Sequence, residues 1–179
     1  DALLNYAYET ALKAYDIEKS DNIIPALRVL SDKAGIFGMV GGQAVDVEAE
    51  KKELVLREEE LMFIHEKKTS ALIQASLMVG AILAGASQAD VSKMELVGKY
   101  LGLAFQIQDD ILDVTGTLQE LGKPIGSDEK NNKVTYVTLN GLQKAKQDVE
   151  ELSMKAVSLI NEFDGEKTFL QDLFVYMIS

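Results

Sequence analysis

The stretch Leu101-Gly102-Leu103-Ala104-Phe105-Gln106-Ile107-Gln108-Asp109-Asp110-Ile111-Leu112-Asp113 decides how this chain folds. Its first half is apolar at almost every position, without alternation, so a helix through it has no broad polar face to turn to water. Gln106, Asp110 and Asp113 follow at i, i+4 and i+7, and Asp109 is i+4 from Asp113, which gathers the acids on one narrow stripe. Phe105, Gln108, Ile111 and Leu112 face elsewhere. A helix that is apolar on most sides must be wrapped by other helices. The stretch therefore predicts an all-α fold, a thick helical bundle with enclosed central helices.

The flanking segments carry the same period. Leu3, Leu4, Ala7, Ala11, Leu12 and Tyr15 predict a helix over 1–16. A second, over 22–49, follows Asp21-Asn22 and has Pro25 near its start, where a missing N–H costs least. After a break at 53–56, a third runs from 57 to 84 with Leu61, Ile64, Leu72, Ala75 and Val79 on one side. Residues 85–89 connect to a fourth helix, capped by Asp90 and ended by Thr115-Gly116. Gly116, Gly122, Pro124, Gly126 and Asn131-Asn132 punctuate a loop over 116–132. Two further helices fit 134–162 and 166–179. No β-branched run alternates as a strand would, and there is no repeat or low-complexity tract.

The chain has 179 residues, enough for one domain with a real core. Lys and Arg number 18 against 29 Asp and Glu, a net charge of −11. That surface repels nucleic acid and anionic membrane, so phosphate chemistry would need local lysines or bound cations. With no Cys, disulfides and thiolate metal sites are excluded, and a cytoplasmic protein is expected. No apolar run is long enough to span a bilayer, so no stable membrane insertion is expected. The chain begins at Asp1, inside an apolar-periodic stretch, so it is expected to be part of a longer protein.

Three carboxylates crowded on one turn repel one another, and a bound cation relieves this. Oxygen donors without a neighbouring His or Cys suit Mg²⁺, which typically takes one or two carboxylates and completes its shell with substrate phosphates. The spacing alone also fits a solvated acidic face; the apolar neighbours favour a cavity. In the loop, Lys123 and Lys133 are compact cations suited to phosphate, glycines allow close backbone approach, and Asp128 could hold a metal-bound water. The same residues also fit an exposed polar loop. Lys67-Lys68-Thr69 offers ammonium and hydroxyl groups in mid-helix, or simply a solvated face. His65, the sole His, reads as structural. Gly41-Gly42, ahead of Gln43 and Asp46, places two glycines inside a helix at a cost of about 1 kcal/mol each against Ala. A plain helix crossing is the favoured reason, with close approach to a ligand as the other.

Taken in this order, the motifs resemble the trans-polyprenyl diphosphate synthases over essentially the whole chain. Phe105-Gln106-x-Gln108-Asp109-Asp110-x-x-Asp113 looks like the family's second aspartate-rich motif, with Gly122-Lys123, Asp128 and Asn132-Lys133 following it. Gly41-Gly42-Gln43-x-x-Asp46 and His65-x-x-Lys68-Thr69 are similar to the bacterial farnesyl or geranylgeranyl diphosphate synthase type. The resemblance implies an isoprenoid synthase-type bundle around a central cavity, with residues 1–179 as the C-terminal part of a single polyprenyl synthetase domain, usually in a homodimer. It implies ionisation of an allylic diphosphate, attack by isopentenyl diphosphate and loss of a proton, with Mg²⁺ (Mn²⁺ as a substitute) as the cofactor. Farnesyl diphosphate is the expected product, with geranylgeranyl or longer chains as alternatives.

By the same carry-over, Asp109, Asp110, Asp113 and Asp128 belong to the metal site, Asp109 as the direct ligand. Lys68, Lys123 and Lys133 bind the allylic diphosphate. Thr69 and Gln106 sit beside the cation, and Gln43 and Asp46 line the cavity. The family's first aspartate-rich motif, its arginine pair and its isopentenyl diphosphate site would precede Asp1, and the chain has only Arg28 and Arg57. The chain as given is therefore expected to be inactive by itself. A terpene cyclase is the runner-up, but its usual second motif mixes Asn, Ser or Thr with Glu. A non-catalytic prenyltransferase subunit is a further alternative. A structural bundle would explain the helices and not the order of the motifs.

Overall fold

The helices form where the apolar period predicts them, with their ends set by local backbone chemistry. The computed structural model describes residues 2–52, 54–116 and 134–178. Among these there is no strand. The order is α1 (Ala2–Leu12), α2 (Ala14–Ile17), α3 (Ile23–Ala34), α4 (Met39–Lys51), α5 (Glu58–Ile64), a π-helical turn (His65–Ser70), α6 (Ala71–Leu83), α7 (Gln88–Thr115), α8 (Tyr136–Asn140), α9 (Leu142–Asn161) and α10 (Thr168–Ile178).

α7 is the central element. It packs against α6, α9, the π turn, α8 and α10. Leu101, Gly102, Leu103 and Ala104 are all buried, which four consecutive helical residues can be only when neighbours cover every side. One core joins Leu61, Ala104, Ile107 and Ile111 to Tyr136, Ala145 and Val149. A second joins Val97 and Leu101 to Ala156, Ile160 and Phe174. Among the described residues, no helix is long and apolar enough to cross a membrane.

Several boundaries differ from the sequence expectation. The helix expected over 22–49 is broken at 35–38. A Cβ on Gly38 would lie 1.9 Å from the Lys33 carbonyl oxygen, so the chain folds back there in a way no larger residue permits. α7 is capped by Ser87, not Asp90: the Ser87 Oγ accepts the Asp90 N–H at 3.2 Å and donates to the Asp90 carboxylate at 2.7 Å. Gly141, at φ +81°, divides the helix expected over 134–162 into α8 and α9. Leu72, expected on the inner stripe of 57–84, is 38% exposed, because the π turn rotates everything after it.

α1 buries none of its residues, and Leu3, Tyr6, Leu12, Ile24, Ile36 and Phe37 are exposed.

Candidate active site

The site is built where three backbones meet more closely than side chains would allow. α4 crosses the π turn at Gly42, where a Cβ would stand 2.4 Å from the Lys68 nitrogen. α7 crosses the end of the turn at Gly102, where a Cβ would stand 2.5 Å from the Ser70 Cα. The expected helix crossing at Gly42 is thus present, and it falls on the segment that carries Lys68 and Thr69. π turns are rare, and they occur frequently at functional sites.

The close crossings bring polar side chains from three elements together. Asp46, one turn beyond Gly42 and buried, accepts a hydrogen bond from the Lys68 ammonium at 2.5 Å. Thr69 donates its hydroxyl hydrogen to the Gln106 side-chain carbonyl at 2.9 Å. His65 is buried, with Nε2 3.8 Å from an Asp110 carboxylate oxygen. Asp46, Lys68, Thr69, Gln106, His65 and Asp110 border one cavity of about 30 Å³. Gln43 is not brought there; it borders a shallow groove along α4 with Val40, Ala44 and Val47.

On α7 the three acids occupy different environments. Asp110 and Asp113 are 5% and 2% exposed, while Asp109 is partly exposed. The Asp110 Oδ2 accepts the backbone N–H of Tyr136 at 2.7 Å. Asp110 thus joins Thr135, whose hydroxyl accepts the Thr138 N–H, in satisfying the first turn of α8. This gives Asp110 a capping duty beside any place it has at a metal. The Tyr136 hydroxyl donates to Asp148 at 2.8 Å. Burial, and next that hydrogen bond, push the Tyr136 phenol well above its ordinary range.

Glu66 flanks the site. Burial works against its ionisation, but the hydrogen bond from Lys99 at 2.8 Å and the charges of Lys99, Lys67 and Lys33 hold its carboxyl below the ordinary range. Lys123, Asp128 and Lys133 lie outside the described residues. Among the described residues no three acidic or histidine side chains converge into a metal cage. The donors on α7 are carboxylate oxygens, but the expectation of no neighbouring His fails, since His65 lies beside Asp110. Carboxylate oxygens fit an ion such as Mg²⁺, which takes one or two carboxylates and completes its octahedron with other oxygens.

The sequence reading missed the π turn, the Asp110–Tyr136 cap and the buried polar pair Ser70 and Gln74. A signal for the last existed: two polar residues at i, i+4 inside the apolar run 70–84, matched by Gly98 and Gly102 at the same spacing.

Residues 1–171 match the family model described as Polyprenyl synthetase. This chain belongs to the polyprenyl synthetase family. Among relatives in the family, the chloroplastic geranylgeranyl pyrophosphate synthase of Catharanthus roseus is 42% identical over 167 residues, covering 93% of this chain and 46% of the relative. The farnesyl diphosphate synthase of Geobacillus stearothermophilus is also 42% identical, over 152 residues, covering 82% and 49%. The chain thus spans about half the length of these curated polyprenyl synthetase relatives. Among solved structures, a Helicobacter pylori geranyltransferase complexed with magnesium and isoprenyl diphosphate superposes with a TM-score of 0.81 at 32% identity, over 99% of this chain and 57% of that one. An FPP/GFPP synthase from Zymomonas mobilis gives a TM-score of 0.83 at 28% identity, over 99% and 58%. The all-α bundle described above is therefore the isoprenoid synthase fold of this family.

Proposed function

We propose that residues 1–179 form the C-terminal part of a single polyprenyl synthetase domain, in an enzyme that condenses an allylic diphosphate with isopentenyl diphosphate. The observation that carries this reading is the meeting of Lys68 and Thr69 with Gln106 beside the acidic stripe of α7. Lys68 is a cation held ready by a buried carboxylate, suited to an oxygen of the allylic diphosphate. The Thr69 hydrogen is committed to Gln106, so its oxygen offers only lone pairs to the cavity. An oxygen in that state favours positive charge developing on the allylic carbon. The carbon–oxygen bond breaks with its electron pair leaving on the diphosphate. The isopentenyl double bond then forms the new carbon–carbon bond, and a proton passes to an oxygen of the departed diphosphate.

Mg²⁺ fits the carboxylates of α7, with Asp109 as the residue that would hold it directly, Asp110 and Asp113 supporting it, and Asp128 completing the set we propose. When bound, the metal neutralises charge on the leaving diphosphate. Lys123 and Lys133 join Lys68 on that diphosphate. We assign farnesyl diphosphate as the product. Geranylgeranyl diphosphate is the second reading, because a relative of equal identity carries that name. We further propose a cytoplasmic homodimer that covers the exposed apolar side chains of α1 and the 35–38 link, Phe37 at 85% exposure among them.

The test is Asp109→Ala in the full-length enzyme. Turnover of dimethylallyl and isopentenyl diphosphates should fall on the order of 10³-fold or more, with the circular dichroism spectrum unchanged. Unaltered turnover would refute the site.

A further inference from the structure

The segment 58–83 has two competing ways to face the core. Counted at about 100° per residue, its apolar stripe of Leu61, Ile64, Leu72, Ala75 and Val79 is that of an uninterrupted α-helix. The structure buries Leu61, Ile64 and Ala75 of that stripe but leaves Leu72 exposed and Val79 only partly covered. Up to the first residue of the π turn the buried residues are Leu61, Ile64 and His65; from its last residue onward they are Ser70, Ala71, Gln74, Ala75 and Met78. On an α-helical count these two groups lie on faces about 100° apart, the rotation that one extra residue in a turn produces. The turn therefore exposes Leu72 and buries a serine and a glutamine in its stead.

Those two polar residues are fully engaged. Ser70, at 0% exposure, donates its hydroxyl to the carbonyls of Gly98 and Lys99, both at 3.2 Å. It accepts from the Gln74 amide nitrogen at 3.0 Å. The Gln74 side-chain carbonyl accepts from the Lys33 ammonium at 2.5 Å, and Lys33 pairs with Glu95 at 2.5 Å. One polar line thus runs from α3 through α6 to the backbone of α7. It passes through Ser70, the residue that follows Thr69. Around it α6 and α7 approach closely, with Gly98 against Gln74 and Gly102 against Ser70, so the polar line and the close backbone contact act at the same positions.

We propose that Gln74, backed by Lys33, is a positioning residue that holds α6 in the π register and so presents Lys68 and Thr69 to the site. The inference rests on the reading that Lys68 and Thr69 act on substrate. In the α register, Ser70 and Gln74 would turn off the α7 face, Leu72 would turn in, and Thr69 would lose Gln106.

The experiment uses the full-length enzyme in a background otherwise free of cysteine, carrying Leu72→Cys as a reporter of exposure. Gln74→Met keeps the volume and removes the polar line. Thiol labelling at position 72 should slow about tenfold, and kcat should fall about tenfold or more, with the isopentenyl diphosphate KM unchanged. Gln74→Glu, which keeps an acceptor for Lys33, should retain more activity than Gln74→Met. Lys33→Met serves as a second variant should Gln74→Met fail to fold, and it should shift both readouts the same way. Labelling and kcat unchanged in the Gln74→Met and Lys33→Met variants, while Lys68→Ala is inactive, would overturn the positioning role and leave the proposed function standing. Full turnover by Lys68→Ala would instead overturn the functional reading, and the labelling rate would still decide the register.

Discussion

Gly42→Ala should damage this protein twice, in stability and in turnover, although alanine is the better helix former. The added Cβ would stand 2.4 Å from the Lys68 nitrogen, 2.6 Å from the Lys67 Cβ and 2.7 Å from the Lys67 carbonyl carbon. Ordinary contact begins at 3.4 Å, so α4 and the π turn must separate by about 1 Å, and two of the three obstructing atoms are backbone. Overpacking of this kind costs about 1–3 kcal/mol, against a helix-propensity gain of about 0.5–1 kcal/mol. The net expectation is a loss of about 1–2 kcal/mol. The same opening displaces Lys68 and Thr69, and a shift of about 1 Å at a positioning contact can cost on the order of 10²-fold in rate. Gly80→Ala is the control. It lies in α6, its Cβ would meet nothing within 4 Å, and it should gain about 0.5–1 kcal/mol with turnover unchanged. Urea denaturation and steady-state kinetics on both variants of the full-length enzyme read the two effects. A Gly42→Ala enzyme as stable and as active as Gly80→Ala would refute the close crossing.

Two further outcomes are expected. Asp110→Ala leaves the buried Tyr136 N–H without its acceptor and should cost about 1–3 kcal/mol in urea denaturation, while Asp110→Asn, which keeps an acceptor oxygen, should lose less. Equal losses in the two variants would contradict the cap. For Glu66 the folded carboxyl titrates below its ordinary value, so its contribution is complete above the unfolded value and is lost as pH falls through the folded one. Acidification from about pH 5 to pH 3 should therefore destabilise the wild type more than Glu66→Gln, by under about 1 kcal/mol because the pair is partly exposed. Parallel stability curves for the two proteins would count against the Lys99 pairing.

What could be read in advance follows from how each feature is encoded. The burial of α7 was legible because Leu101 to Ala104 leave no polar face, a property of composition that survives errors in register. The crossing at Gly42 was legible because a glycine inside a helix needs a reason. The break at 35–38 was not: Gly35 and Gly38 sit among residues that keep the helical period, and the close approach of Gly38 to the Lys33 carbonyl, which leaves no room for a Cβ, arises only in the folded chain. The sequence points to Asp90 as the cap, with Ser87 in the connection; the structure caps with Ser87 and uses the two as a reciprocal pair. The π turn was hidden for a deeper reason. The apolar stripe through Leu72 and Val79 describes a competing register, and a pattern count cannot weigh it against hydrogen bonds that reach α3 and α7.

The placing of these features bears on how the site works. Gly42, Gly98 and Gly102 each admit backbone contact, and all three act on residues 67–74. Contact through backbone leaves little slack, whereas contact through long side chains would let the π turn wander. Precision is needed there because the charge around it is adverse. Among the described site residues, Lys68 stands alone against Asp46, Asp109, Asp110 and Asp113, and it is already paired with Asp46. A diphosphate entering such a site is repelled unless cations come with it, which is why the proposed chemistry requires Mg²⁺. Under the proposed chemistry, an ion held by one or two carboxylates would have no rigid cage of its own, so the packing of α4, the π turn and α7 would decide how Lys68 and Thr69 stand toward the carboxylates of α7.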